Sequence, residues 1–265
     1  MPRPRYVMIG APVTTVRTPP LLEARLAECG VPAEVSTRHV EPAGLASFVA
    51  AVRADATVHG LLVTMPHKRA IVAMLDALTE RAAAAGSVNA VRRLPDGRLI
   101  GAQFDGIALL RAVVRRGFDP AGARVLLAGL GGAGLAIARE LLVAGCRVLA
   151  VTEIDPLRRR RGLARLTGEF GAAVRSYEEA AGSAFDLLVN ATPLGMSPGD
   201  PSPFGDRLIA AAKLVADIVA DPPATRLAGR VRALRRPLVT GRAMVRAQIG
   251  PIADWLCGAD PLRSA

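Results

Sequence analysis

Two groups of residues have types and spacings suited to chemistry. The first centres on Lys68, in the stretch Leu62 to Lys68 (LVTMPHK). It is one of only two lysines among 34 basic residues, so arginine meets the generic need for positive charge and this amine stands out. Pro66 suits the first turn of a helix following a strand over Gly60 to Thr64, which would put Lys68 inside that turn. A cation there faces the positive end of the helix dipole, a poor position for a merely structural lysine but a reasonable one for a proton shuttle.

The second group is Gly129-Leu130-Gly131-Gly132-Ala133-Gly134, a G-x-G-x-x-G pattern between an apolar strand, Arg124 to Gly129, and a helical run, Leu135 to Ala144. An acid, Glu153, ends the next strand about 20 residues on, as a dinucleotide fingerprint requires. Small residues let the backbone approach a pyrophosphate, helix-start amides bind its charge, and a carboxylate accepts hydrogen bonds from a ribose. Glu153 about 4 Å from a 2′-phosphate would repel it by roughly 1 to 4 kcal/mol, which favours NAD over NADP. Arg158 to Arg161 could oppose that preference, but at about 100° per helical residue at most one or two of them face any one ligand.

These groups need elements to hold them. Short β-branched or apolar runs alternate with helical patterns throughout, which predicts an α/β chain with mostly parallel strands. In the first hundred residues the strands are Arg5 to Gly10, Glu34 to His39 and Gly60 to Thr64, with helices over Pro20 to Cys29 and Pro42 to Arg53. Leu94 to Arg98 (LPDGR) turns a hairpin between Val88 to Arg93 and Leu99 to Gln103. Asp105 to Arg116 is helical and bridges to a second region with strands at Arg147 to Thr152, Phe185 to Asn190, Leu214 to Ile218 and Pro237 to Thr240. A terminal helix follows over Ala243 to Cys257. The expected organisation is two domains. One is an N-terminal α/β domain (1–104 plus 241–265) with a mostly parallel sheet; the other is a Rossmann-type, doubly wound nucleotide domain (105–240).

The net charge of +11 invites a nucleic-acid reading, but the arginines are spread along the chain and aromatics make up only 3%. No base-reading or base-stacking signature accompanies them, so no nucleic-acid partner is expected. No apolar run reaches the ~18 residues of a membrane span, and the first residues lack a secretory signal, so the expected location is cytoplasmic, off the membrane. Cys29, Cys146 and Cys257 lie far apart, as free thiols in a reducing compartment do. His39, His59 and His67 stand apart too, and no metal is expected.

Taken in order, VTMPHK, Gly86 to Ala90 (GSVNA), Phe104-Asp105-Gly106, the glycine turn, Asn190 to Met196 (NATPLGM) and Ala247-Gln248 resemble the motifs of shikimate and quinate dehydrogenases: VTxPxK, GAxNT, TDG, GxGG, NATxxG and a late glutamine. The resemblance spans nearly the whole chain. It implies an NAD(P)-dependent alcohol dehydrogenase (EC 1.1.1.-) that moves hydride reversibly between a nicotinamide and a ring hydroxyl or ketone of a shikimate- or quinate-like cyclic hydroxy acid. The N-terminal domain with the terminal helix would hold that acid, and the active site would lie in the cleft between the domains. Lys68 and Asp105 would be the catalytic pair, with Asn89, Gln248, Thr64, Thr18 and Thr15 on the substrate. Cofactor contacts would come from Gly129, Gly131, Gly132, Ala133, Gly134, Glu153, Asp155, Asn190, Thr192, Pro193, Met196, Gly241 and Met244. The expected cofactor is NAD, with NADP the alternative, and the chain would act as a monomer or homodimer.

The chain also departs from the family pattern. The carboxylate-binding Ser-x-Ser aligns with Val16-Arg17-Thr18, which loses one hydroxyl. A hydrogen bond to a charged group contributes about 1.5 to 3 kcal/mol, so carboxylate binding would weaken by about one to two decades unless Thr14, Thr15 or Arg17 substitutes. Leu62, Phe104 and Ala220 replace an asparagine, a threonine and a tyrosine, changes expected to make the pocket less polar and to favour a relative of shikimate or quinate. Thr152-Glu153-Ile154-Asp155 is similar to the acidic pattern of NAD-using relatives. Two alternatives stand beside this reading: an NADP-dependent biosynthetic shikimate dehydrogenase, and a binding protein that kept the fold and lost turnover.

Overall fold

The computed structural model describes residues 3–13, 17–180, 182 and 184–258. The chain divides into two compact units, Met1–Asp105 with Gln248–Ala265, and Gly106–Ala247.

The first unit runs β1 (Arg5–Gly10), α1 (Thr18–Glu28), β2 (Glu34–His39), α2 (Leu45–Ala54), β3 (Val58–Val63), β4 (Ala77–Leu78), α3 (Glu80–Ala85), β5 (Ala90–Arg93) and β6 (Leu99–Ala102). Its sheet has the order β2-β1-β3-β5-β6-β4. β1 lies parallel to β2 and β3, whereas β5 is antiparallel to both β3 and β6. The hairpin closes where Leu94 N–H donates to the Arg98 carbonyl at 2.8 Å, with Gly97 at φ +88°. Alternate strand residues share a face, so Val7, Ile9, Leu61, Val63 and Val91 form one buried layer. Leu45, Val49 and Val52 of α2, at helical spacing, join that cluster.

The helix expected from Pro66 does not form. Residues 65–69 are a turn, and only a 3₁₀ segment, Ala70–Met74, follows. His67 N–H closes the turn on the Thr64 carbonyl at 3.0 Å, and Val88 N–H donates to the Lys68 carbonyl at 2.7 Å. That carbonyl is therefore taken by the segment before β5, and Val72 N–H bonds the Arg69 carbonyl three residues back. His67 is buried, and its Nε2–H donates to the Val40 carbonyl at 2.6 Å. It anchors the turn.

The second unit continues with α4 (Asp105–Val114), whose first residue belongs to the first unit, then β7 (Arg124–Ala128), α5 (Gly132–Val143), β8 (Val148–Thr152), α6 (Pro156–Phe170), β9 (Val174–Ser176), β10 (Leu187–Asn190), α7 (Asp206–Ala211), β11 (Leu214–Asp217), α8 (Arg226–Ala233), β12 (Leu238–Thr240) and α9 (Gly241–Cys257). Residues of α9 up to Ala247 group with this unit and the rest with the first. All strand pairs are parallel. Read from β9, the sheet runs third, second, first, fourth, fifth, sixth in chain order, the doubly wound arrangement that puts the switch point between β7 and β10. β7 shows why both faces are covered. Val125 and Leu127 enter a cluster with α4 and α5, and Leu126 and Ala128 enter another with Ile209, Leu227 and Val231 of α7 and α8. β9 escapes the sequence pattern because it has only three residues, Val174, Arg175 and Ser176, of which just the first is buried.

Candidate active site

In the first unit three polar side chains from distant segments converge on one carboxylate. Asp105 opens α4 and is nearly buried. Its Oδ2 accepts from Lys68 Nζ at 2.6 Å, while its Oδ1 accepts from Asn89 Nδ2 at 3.1 Å and Gln248 Nε2 at 2.9 Å. The local sequence holds each partner in place. Lys68 leaves the turn pinned by His67 and Val88. Asn89 precedes β5, and its Oδ1 accepts from Phe104 N–H at 2.9 Å, which fixes the amide the right way round. Gln248 lies on α9. The lysine side chain is 16% exposed against 5% for the aspartate, so the pair is shielded while the amine keeps access to a ligand. An ammonium has three donors, and a charge-assisted bond to Asp105 aims the nitrogen.

Sequence reasoning missed two supports of this cluster. Gln103 Oε1 accepts from Asp105 N–H at 2.7 Å, and Gln103 Nε2 donates to Ser87 Oγ at 2.9 Å. The first-turn amide of a helix lacks an intrahelical partner, so a glutamine two residues before Asp105 was the available signal. Thr64 packs on Gly10, where an added Cβ would collide with its Cγ2. Thr18 is buried as the first residue of α1. Thr15 lies outside the described residues, as do Thr14 and Val16.

Two substitutions expected to line the pocket do not. Phe104 has no exposed surface and meets Trp255 edge-on, with ring centroids 5.8 Å apart. Leu62 is buried within β3. Both fill the core, so neither changes the polarity of a ligand surface.

In the second unit polar side chains bond the backbone of the loops that follow the strands. Gly129 has φ +95°, and a Cβ there would come within 2.8 Å of the Ala191 carbonyl. A Cβ on Gly134 would strike the Gly129 carbonyl, so both glycines are required by close backbone packing. Gly131 faces open space and caps α5, whose first turn includes Gly132 and Ala133. The open space at Gly131 and the positive end of the α5 dipole suit a diphosphate. Glu153 is buried. Its Oε2 accepts from Leu130 N–H at 2.8 Å and its Oε1 from Asp155 N–H at 3.1 Å. Asp155 is the N-cap of α6. Its Oδ1 accepts from Arg158 N–H at 2.8 Å, and that bond first, then the Arg158 charge, holds its carboxyl below the usual range.

At the end of β10, Asn190 is fully buried. Its Nδ2 donates to the Leu194 carbonyl and to Asp217 Oδ1, each at 3.0 Å, and its Oδ1 accepts from Thr192 N–H and Oγ–H. Asp217, also accepting from Thr225, is pushed up chiefly by burial. This network shapes the loop that exposes Pro193 and Met196. Gly241 starts α9 against the backbone of Ile218 and Val219, and Met244 is buried in the core. Among the described residues no group of three His, Cys, Asp or Glu side chains could hold a metal ion, and no helix is long and apolar enough to cross a membrane.

Comparison with known proteins matches residues 8–91 to a family described as the shikimate dehydrogenase substrate binding domain. A shikimate dehydrogenase (NADP(+)) of Rubrobacter xylanophilus is 38% identical over 262 residues, covering 96% of this chain and 90% of the relative. The quinate dehydrogenase of Corynebacterium glutamicum, solved in complex with NAD, superposes with a TM-score of 0.81 at 25% identity, over 97% of this chain and 94% of that one. A ligand-free 5-ketofructose reductase from a Gluconobacter species gives 0.79 at 29% identity, over 96% and 92%.

Proposed function

The chain belongs to the shikimate/quinate dehydrogenase family, and on that premise we propose that it is an NAD(P)-dependent oxidoreductase acting on a ring hydroxyl or ketone of a shikimate- or quinate-like cyclic hydroxy acid. The observation that carries this reading is the 2.6 Å contact between Lys68 Nζ and Asp105 Oδ2, with Asn89 and Gln248 on the other carboxylate oxygen. A bound nicotinamide supplies or accepts the hydride at the ring carbon. Lys68 handles the proton: in reduction its ammonium gives one to the nascent alkoxide oxygen, and in oxidation its amine takes one from the hydroxyl. Asp105 aims the amine, and the amides of Asn89 and Gln248 hold Asp105 and offer donors to neighbouring hydroxyls. The first turn of α5 and the glycine turn hold the cofactor's diphosphate.

A second reading, the NADP-dependent biosynthetic shikimate dehydrogenase, is favoured by two observations. The relative from Rubrobacter carries that name, and Phe104 and Leu62 are core residues, which leaves the altered Ser-x-Ser and Ala220 as the case for an altered substrate. Three free thiols, Cys29, Cys146 and Cys257, support a cytoplasmic location. The test is a panel of cyclic hydroxy acids assayed with NAD+ and NADP+, alongside Lys68→Ala. Turnover of quinate or shikimate that disappears in a folded Lys68→Ala variant is the expected result; no turnover of any member despite cofactor binding would leave a binding protein.

A further inference from the structure

The end of β8 carries an acid where a ribose ligand is expected, yet its surroundings give it other work. The Glu153 side chain is only 3% exposed. One oxygen accepts from Leu130 N–H inside the glycine turn, and the other accepts from Asp155 N–H at the start of α6. Arg158 Nη1 lies 3.5 Å from Oε2, and Nη2 lies 3.4 Å from Asp155 Oδ2. The carboxylate thus ties the loop after β7 to the loop after β8 through main-chain amides, and a guanidinium balances its charge. Leu130 N–H has to point back towards β8 for this bond. The positive φ of Gly129 and the missing Cβ of Gly134 let the turn pack this tightly.

We infer that Glu153 is a positioning residue of the glycine turn, acting on NAD and NADP alike, and that Arg158 keeps its charge from excluding a 2′-phosphate. This rests on the nucleotide-binding reading above. A carboxylate that selected NAD by gripping a ribose would have to present an oxygen to solvent. This one is buried and already holds two amides, so its loss disturbs the diphosphate cradle common to both dinucleotides. Arg158 is 42% exposed and sits beside two acids, Glu153 and Asp155; without it their joint charge meets any added phosphate.

The test is calorimetric titration of the full ligand-free chain with NAD+ and with NADP+, together with amide hydrogen exchange at Leu130. Glu153→Ala is expected to weaken both dinucleotides by about tenfold and to leave their affinity ratio within about twofold of wild type, with exchange at Leu130 faster by about tenfold or more. Glu153→Gln keeps an acceptor oxygen and is expected to restore Leu130 protection and most of both affinities. Arg158→Ala is expected to weaken NADP+ several-fold more than NAD+. A tenfold shift of the ratio towards NADP+ in Glu153→Gln or Glu153→Ala, with Leu130 exchange unchanged, overturns the proposal, and should the alanine variant not fold, the glutamine variant alone decides it. Equal losses of both dinucleotides in Arg158→Ala overturn the charge-balance part. Wild-type protein that binds neither dinucleotide would instead overturn the functional reading beneath it.

Discussion

In the unit built on β1 to β6, the side chains of Lys68, Asn89 and Gln248 converge on Asp105, whereas in the unit built on β7 to β12 the side chains of Glu153, Asn190 and Asp186 bond main-chain amides and carbonyls of the turns and strand ends around them. The proposed ligands account for the contrast. Hydroxyls around a small ring need donors and acceptors at fixed, separate directions, which only side chains from several segments supply. A diphosphate needs closely packed amides, which the main chain supplies once glycine removes the side chains and buried polar groups fix the loop. A substitution in the first cluster should therefore damage chemistry with little effect on nucleotide binding. One in the second should damage loop geometry, and with it both dinucleotides together.

The largest effect expected is from Lys68→Ala, which should lower turnover by about 10²- to 10⁴-fold. Calorimetric dinucleotide affinity should stay within about twofold of wild type; a comparable loss of cofactor binding would break the contrast. Phe104→Ala is next. It should cost about 3 to 5 kcal/mol in urea unfolding through a cavity beside Trp255, with the preference between quinate and shikimate unchanged. A changed preference would return Phe104 to the ligand surface. Asn190→Ala leaves buried partners unmatched and should cost about 1 to 3 kcal/mol in the same measurement. It should weaken NAD+ and NADP+ equally, and selective loss of one would mean that Asn190 touches the cofactor.

The smallest effect concerns pH. Asp186 is held below the ordinary carboxylate range first by Arg124 N–H and also by Lys213. A carboxyl whose folded pKa is depressed contributes stability that is present above its unfolded value, about 3.9, and lost as pH falls through the folded pKa. Thermal melting followed from neutral to acid pH should therefore fall less steeply below about pH 4 in Asp186→Asn than in wild type. Identical acid limbs would remove Asp186 from the set of loop-fixing acids.

Much of the architecture was legible from residue patterns. Strand and helix order, the LPDGR hairpin and the strand, glycine turn, helix and acid of the second unit all rest on periods and turn residues a few positions apart. The misreadings have specific causes. Pro66 serves helix starts and turns equally well, and here the turn is held by Val88 of the segment before β5, whose N–H takes the Lys68 carbonyl. Phe104 and Asp105 are neighbours in one motif, yet the first enters the core beside Trp255 and the second joins the polar cluster. Motif alignment gives positions but no directions. Glu153 matched a ribose ligand by spacing, and only its two amide partners show that its oxygens are engaged.

The amino-acid sequence by itself determined the α/β class and the glycine turn, and it singled out Lys68 as a candidate amine, because each depends on near neighbours: hydrophobic period, absence of a Cβ, residue type. Tertiary structure alone decided which partners those groups meet. Lys68 finds Asp105 across 37 positions, Gln248 reaches it across 143, and Glu153 captures Leu130 across 23. Such pairings are fixed by how strands and helices pack. A hydrogen bond requires its atoms within about 3 Å, and no local rule brings together residues so far apart along the chain.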